Sequence, residues 1–389
     1  MSARGGEPAL SRGRGGGDGA RRADVVVIGA GIAGASAAWA LARCGMDVHL
    51  VEREPQPGHH ATGRSAALLN ETVGHPVVGA LARASAGFLA APPAGFSDHP
   101  LLGPRGLLWV GTDRAALDRL AAAAPPGAAA RVDAAAVAAL VPALRPTWAA
   151  AGGVHEPGAR TVDVAALLHA YVRGLRHAGG TLHLGAPAGR IAAAPGGRGW
   201  RVDLGDSTVA CRTVVNAAGA WGDEVAHRAG VAPIGLAPLR RTACLVPVPG
   251  DHDVGGWPLV MDVAGTFYAE PEAGGLLVSP ADEAPTAPCD ARPDEVDVAV
   301  ALDRLRAATT LPVRSVRRAW AGLRTFAPDR VPVAGFDPDA DGFYWLVGQG
   351  GAGIKTAPAL AALAAADIAG DPLPGPAPVA ANLRPDRLR

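Results

Sequence analysis

The stretch that most restricts the fold runs from residue 23 to 53, ADVVVIGAGIAGASAAWALARCGMDVHLVER. A short apolar run, Val25–Ile28, predicts a buried strand. Gly29, Gly31 and Gly34 follow, and then a helical stretch with Ala38 and Leu41 on its packing face and Gly45 at its end. A second apolar run, Val48–Val51, stops at Glu52. Strand, glycine turn, helix and strand make a βαβ unit, which calls for a parallel sheet and a dinucleotide-sized ligand. Gly29 permits the tight turn. Gly31 lets the backbone approach a pyrophosphate, and Gly34 lets the helix lie close to the strand. The helix start at Ile32 and Ala33 offers free N–H groups and a partial positive charge. At Glu52 a carboxylate can accept bonds from both ribose hydroxyls, and it repels a 2′-phosphate. FAD or NAD is therefore expected, and NADP is disfavoured. Residues 25–42 are uncharged over about the length of a membrane span. Their β-branched residues fill only the front half, which fits a strand followed by a helix, so no transmembrane segment is expected.

With 49% hydrophobic residues in 389, the chain can bury a large core and form two domains, or one with a large insertion. Zero formal net charge excludes the clustered basic excess of a nucleic-acid footprint. The best basic run, Arg304, Arg306, Arg314, Arg317 and Arg318, reads as a solvated face. Cys44, Cys211, Cys244 and Cys289 form no CxxC pair and no zinc spacing, so reduced thiols, a cytoplasmic location and no metal are expected. Residues 1–20 are Gly/Arg-rich without an apolar core and predict a disordered tail.

Three later features favour FAD over NAD. After Glu52 the chain runs into a loop with Pro55, Pro57, Gly58 and Gly63, followed by a helix expected near Ser65. Such a loop can follow a long cofactor toward its far end. The segment CRTVVNAAGAWGDEVAHRAG predicts a strand at Thr213–Val215, a turn at Ala217, Ala218 and Gly219, and a helix. Near the C-terminus, strand Phe343–Val347 leads through Gly348, Gly350, Gly351 and Gly353 into an Ala-rich helix, a second anion-binding device. All can return to one sheet. The expected fold is α/β (α+β): a discontinuous Rossmann-like FAD-binding domain over 21–95, 150–235 and 325–372. An antiparallel-sheet substrate domain over 96–149 and 236–324 is inserted, and 373–389 is a C-terminal tail.

The Gly29–Glu52 fingerprint, GRSAA at 63–67, VVNAAGAW at 214–221, AWAGLRTF at 319–326 and GQGGAGI at 348–354 together resemble the FAD-dependent D-amino acid oxidase family. Local phrases such as EREPQPGHHATGRSAA and FYAEP are most similar to its bacterial D-arginine dehydrogenase-like members. The resemblance implies an extended, non-covalent FAD, with adenosine on the Rossmann half and isoalloxazine at the border of the second domain. The non-covalent expectation rests on the lack of a cysteine in the C-terminal turn. Beyond the fingerprint, implied cofactor contacts fall at Arg53, Arg64, Ser65, Ala66, Ala67 and Ala188, then at Ala217, Ala218, Gly219 and Trp221. The C-terminal turn adds Gly350, Gly351, Ala352, Gly353, Ile354 and Lys355. There a helix N-terminus would steady negative charge on the pyrimidine edge of the flavin, and Lys355 would add a full positive charge or be a solvated helix lysine.

An amino acid oxidised at its α-carbon must be held by its carboxylate, which suits arginine. Arg324 and Arg241 stand on predicted strands, Tyr268 can add a phenol hydrogen bond, and the resemblance implies a backbone carbonyl at Gly351. Arg240 points to the opposite face from Arg241. In the arginine-type members a His, a Tyr and a Glu face the substrate side chain; the matching residues here are Leu68, Val73 and Leu107, with Glu71 nearby. Without an acid, a buried cationic side chain would be costly. An apolar or small D-amino acid is therefore expected, oxidised to an imino acid that hydrolyses to a 2-oxo acid. The electron acceptor would be oxygen or a quinone. A secondary amine is the alternative substrate; an NAD enzyme and a non-catalytic flavin binder are further rivals. His59 and His60 read as surface histidines rather than a base.

Overall fold

The computed structural model describes residues 21–389 apart from positions 195, 251, 273 and 376; the tail expected over 1–20 lies outside the described residues. Val25–Ile28 is a wholly buried strand that passes through Gly29 into a helix over Ile32–Arg43. Val48–Val51 lies parallel on one side of it and Thr213–Asn216 parallel on the other. Phe343–Val347 follows, parallel to Thr213–Asn216. Thr181–His183 and Val333–Phe336 complete a six-stranded sheet in which only Val333–Phe336 runs antiparallel.

The central strands are apolar on both faces because both are covered. On one face the helices Ile32–Arg43, Val164–His177 and Gly353–Ala369 enclose Leu41, Leu50, Tyr171 and Leu360. On the other, Trp200 and Val202 of a four-stranded sheet join Val225 and Trp345. The Gly353–Ala369 helix ends at Gly370 in the left-handed conformation (φ 76°), a residue type that allows it without a Cβ penalty.

A second, nine-stranded sheet is built around the long strand Ala237–Pro247, which pairs with Gly275–Ser279 and Arg318–Phe326. It continues through Tyr268–Glu272, Leu259–Asp262, Leu107–Val110, Gly153–Glu156 and Ala130–Val132. Leu259–Asp262 and Leu107–Val110 run parallel, so the sheet is mixed rather than wholly antiparallel. Gly153–Glu156 pairs within it, carrying its membership past residue 149.

Register decides which side chains share a face. Arg241 lies opposite Gly322 and Leu239 opposite Arg324, so the two arginines are diagonal neighbours on one face. Tyr268 lies opposite Ser279, one row from Cys244 opposite Val278, which places Tyr268, Ala243 and Arg241 on that face too. Arg240 faces away and donates to Asp297 Oδ2 at 2.9 Å.

The helix expected near Ser65 is not formed. Thr62–Arg64 is one 3₁₀ turn, Ser65 is extended (φ −90°, ψ 140°), and Leu68–Leu69 pairs with Arg160–Val162. The helix begins at Pro76, whose missing N–H costs nothing at the first helical position, and the Val77 N–H donates to His75 Nδ1 at 3.2 Å. The arginine run expected as a solvated face is also partly engaged: the Arg304 guanidinium donates to the Thr266 and Pro280 carbonyls, and Arg306 Nε to Val313 O. Among the described residues no helix is long and apolar enough to cross a membrane.

Candidate active site

Between the two sheets lies a cavity of about 520 Å³. Gly29, Gly31 and Glu52 line it from the first βαβ unit; Ala217 and Trp221 from the third strand's turn; and Gly350, Gly351, Gly353 and Ile354 from the last. Arg241, Tyr268 and Arg324 line it from the nine-stranded sheet. The N-termini of the Ile32–Arg43 and Gly353–Ala369 helices thus open into one space.

The glycines are where backbone must approach backbone. At Gly29 φ is +103°, and a Cβ would come 2.6 Å from the Ala217 carbonyl oxygen. At Gly34 a Cβ would come 1.8 Å from the Gly29 carbonyl oxygen, so helix and strand could not both stay in place. Glu52 is buried; its Oε2 accepts the Ala30 N–H at 2.8 Å and its Oε1 the Glu54 N–H at 2.9 Å. Each oxygen keeps a second lone pair for a ribose hydroxyl. The Ile32 N–H donates to Thr62 Oγ1 at 3.0 Å, and buried Thr62 lines the cavity. Thr62 escaped the sequence reading because its partner lies on another element. A helix N-terminus, an accepting carboxylate and a close-packed glycine cradle fit the pyrophosphate and ribose of FAD.

Among the expected cofactor positions, Ala33, Arg53, Ser65, Ala66, Ala188, Ala218 and Gly219 also line the cavity. The Arg53 guanidinium lies over the Trp221 ring, 4.9 Å from its centroid. Arg64 lines the cavity too, but its guanidinium is engaged: Nη1 donates to the carbonyls of Ala291 (2.8 Å) and Ala321 (2.9 Å), and Nη2 to Asp290. It fastens the 59–64 turn to the nine-stranded sheet. Gly34, Ala67 and Ala352 are outside the lining; Ala67 instead accepts the Val162 N–H.

Lys355 differs from both expectations. It is 5% exposed and turns away from the cavity, donating from Nζ to Asn70 O (3.2 Å), Asn70 Oδ1 (2.9 Å) and Val73 O (3.0 Å). Burial pushes its ammonium down to about 8, against the pull of Glu156 and Glu71. Glu156, itself buried, accepts from the Glu71 N–H, the Thr72 N–H and Thr72 Oγ. Lysine at the helix start therefore ties the 70–73 loop to the Gly353–Ala369 helix and carries no charge to the cavity wall.

His60 is more than a surface histidine. It lines the cavity, packs against Trp221 with ring centroids 4.6 Å apart and tilted by 47°, and sits 3.0 Å from Glu54 Oε1. Burial lowers its pKa, against the hydrogen bond to Glu54. Glu54, His59 and His60 bring one potential ligand atom each within 4.8 Å of one another, a grouping the spacing in sequence does not signal. Cys289 also lines the cavity.

At the other end of the cavity Arg324 Nη2 donates to the Tyr268 hydroxyl at 3.3 Å. A Cβ at Gly351 would lie 3.0 Å from Arg324 Nη1, so glycine lets the guanidinium rest on that backbone without being displaced. Arg241 Nη2 donates to Glu283 Oε1 at 3.1 Å, while its buried Nε has no protein partner among the described residues. Burial and the nearby Arg324 push the Arg241 guanidinium down to about 10, so it is still a cation at neutral pH. Two guanidiniums, a phenol and an unpartnered N–H on one wall are donors of the kind that suits a carboxylate. Leu68, Val73 and Leu107, expected to line the substrate side-chain pocket, lie outside the cavity lining, packed with Trp109 behind Tyr268; Leu107 is 0% exposed. Glu71 pairs with Arg83 at 3.4 Å and does not reach the cavity.

A doubly covered, mostly parallel sheet with a glycine cradle, set against a second sheet bearing arginines, is the architecture of a flavoprotein oxidoreductase. Residues 24–367 match the family model described as FAD dependent oxidoreductase. The chain belongs to this family: it is an enzyme, and FAD is its cofactor. Similar solved structures include glycine oxidase from Geobacillus kaustophilus, at 22% identity over 92% of this chain and 98% of that one, with a TM-score of 0.79. L-proline dehydrogenase from P. horikoshii shares 20% identity over 95% and 98%, with a TM-score of 0.80. Iminodiacetate oxidase from Chelativorans sp. BNC1 shares 23% over 90% and 97%, with a TM-score of 0.75. These likenesses support the same fold.

Proposed function

We infer that the chain oxidises a small or apolar D-amino acid at its α-carbon. The observation that carries this is Arg324, hydrogen-bonded to Tyr268 and beside Arg241, in the same cavity as the glycine cradle. Arg324 and Arg241 hold the substrate carboxylate, and the Tyr268 hydroxyl fixes its orientation. Bound FAD supplies the two-electron acceptor: the α-C–H leaves as hydride and the amine loses a proton to solvent. The imino acid is then hydrolysed to a 2-oxo acid and ammonia, and oxygen or a quinone takes the electrons onward. A short, uncharged side chain is favoured because Leu68, Val73 and Leu107 pack behind Tyr268, outside the cavity lining, and put no acid at that end. The D configuration rests on the resemblance carried by GRSAA and WAGLRTF.

A secondary amine is the second reading, favoured by the likeness to an L-proline dehydrogenase and an iminodiacetate oxidase, whose named substrates are secondary amines. Anaerobic titration of the FAD-loaded protein separates the two. D-alanine is expected to bleach the flavin faster than D-arginine, L-alanine or N-methylglycine. Bleaching by N-methylglycine alone would move the assignment to secondary amines.

A further inference from the structure

Behind the arginines of the cavity wall stands an anion that is not itself in the lining. Glu283 Oε1 accepts from Arg241 Nη2 at 3.1 Å and from Arg330 Nη2 at 2.8 Å. Arg330 comes from the turn after the Arg318–Phe326 strand, holds φ +61° and rests its guanidinium 3.8 Å from the Phe326 ring centroid. Phe326 in turn lies against Gly350, where a Cβ would come within 2.2 Å of the ring. Three guanidiniums, Arg241, Arg324 and Arg330, thus gather beside one cavity, and two of them line it. Burial works against the charge of Glu283, but the bond and charge of Arg330, with the charges of Arg241 and Arg324, hold its carboxyl below the usual range. The neighbouring acid, Asp282, also acts on Arg241 through its charge, while its oxygens accept the Thr242 N–H at 2.7 Å and Thr242 Oγ1 at 3.1 Å.

We propose that Glu283 is the internal counter-ion of the substrate site and restricts it to monocarboxylates. This rests on the reading of Arg324 and Arg241 as carboxylate ligands. Three cations against the carboxylates of Glu283 and Asp282 leave one positive charge, which one substrate carboxylate neutralises. A second carboxylate held at this wall would have no further guanidinium of the cluster to pair with and would be repelled by the Glu283 charge behind Arg241. Without the Glu283 charge, Arg241 is uncompensated and a dicarboxylate becomes the neutralising ligand.

The test is titration of the FAD-loaded protein with acetate and with malonate, each followed by perturbation of the flavin absorbance. The wild type is expected to bind acetate more tightly than malonate. Glu283→Gln, at a side chain 36% exposed, keeps the shape and removes the charge. It should move the affinity ratio toward malonate by about tenfold or more, and kcat/KM for D-aspartate over D-alanine should move the same way. Arg330→Gln removes a cation and should move the ratio in the opposite direction. A wild type that binds acetate, with an unchanged ratio in Glu283→Gln, overturns the counter-ion role. So does a ratio that rises toward malonate in both variants, since disturbance of the ion pair would then explain the shift. If neither carboxylate perturbs the wild-type flavin, the carboxylate wall itself falls, and this inference with it.

Discussion

Arg324 and Lys355 show how differently two cations near one glycine turn are used. Arg324 rests on the Gly351 backbone and reaches Tyr268, with its guanidinium in the cavity. Arg324→Ala removes a charge-assisted contact of ~1.5–3 kcal/mol. KM for the substrate should rise about ten- to a hundredfold with FAD still bound; unchanged kinetics would take Arg324 out of the site. Lys355 holds structure instead. Its folded-state pKa, about 8, lies below the roughly 10.4 of an unfolded lysine. The folded protein therefore binds that proton less tightly. The cost of the buried charge is fully present below about pH 8 and is relieved as pH rises toward 10. Lys355→Met strands the acceptors at Asn70 and Val73 but carries no such charge. The melting temperature of wild type relative to this variant should climb between pH 7.5 and about 10. A difference that stays flat would mean that the ammonium is not desolvated.

At the scale of elements, the helix Ile32–Arg43 is placed by absent side chains at Gly29 and Gly34. Gly34→Ala sets a methyl into the Gly29 carbonyl, so the helix must lift away; stability should fall by ~3 kcal/mol or more and the protein should purify without flavin. Gly45→Ala meets nothing within 4 Å and strains only the backbone at φ +82°. It should lose about 1–2 kcal/mol and keep its FAD. Flavin content of the two purified variants decides between these roles. Such local features were legible in sequence. Val25–Ile28, Val48–Val51 and Phe343–Val347 stand where the apolar runs place them, because each run is short, buried on both faces and bounded by glycine or charge. Alternation put Arg241 and Arg240 on opposite faces. What was missed depends on pairings between distant segments. Lys355 finds Asn70 at a separation of 285 residues, and Thr62, Glu283 and Arg330 carry no local pattern that marks them. The helix misplaced near Ser65 had the same cause: Leu68–Leu69 is drawn into a strand by Arg160–Val162.

At the scale of the whole molecule, two sheets divide the work: the six-stranded sheet presents the glycine cradle and the nine-stranded sheet presents the arginines. Neither alone encloses the cavity, whose walls come from residues as early as Ile28 and as late as Ile354. The first strand, Val25–Ile28, is paired by Thr213–Asn216, and that strand by Phe343–Val347. This order has a consequence in time. As the polypeptide leaves the ribosome, the βαβ unit over 25–51 emerges with both sheet edges bare and its cofactor cradle open to solvent. The last wall arrives only when nearly the whole chain has been translated. Flavin capture is therefore expected late in biogenesis: a nascent chain halted before Phe343 should hold the signature of a flavoprotein and retain no flavin.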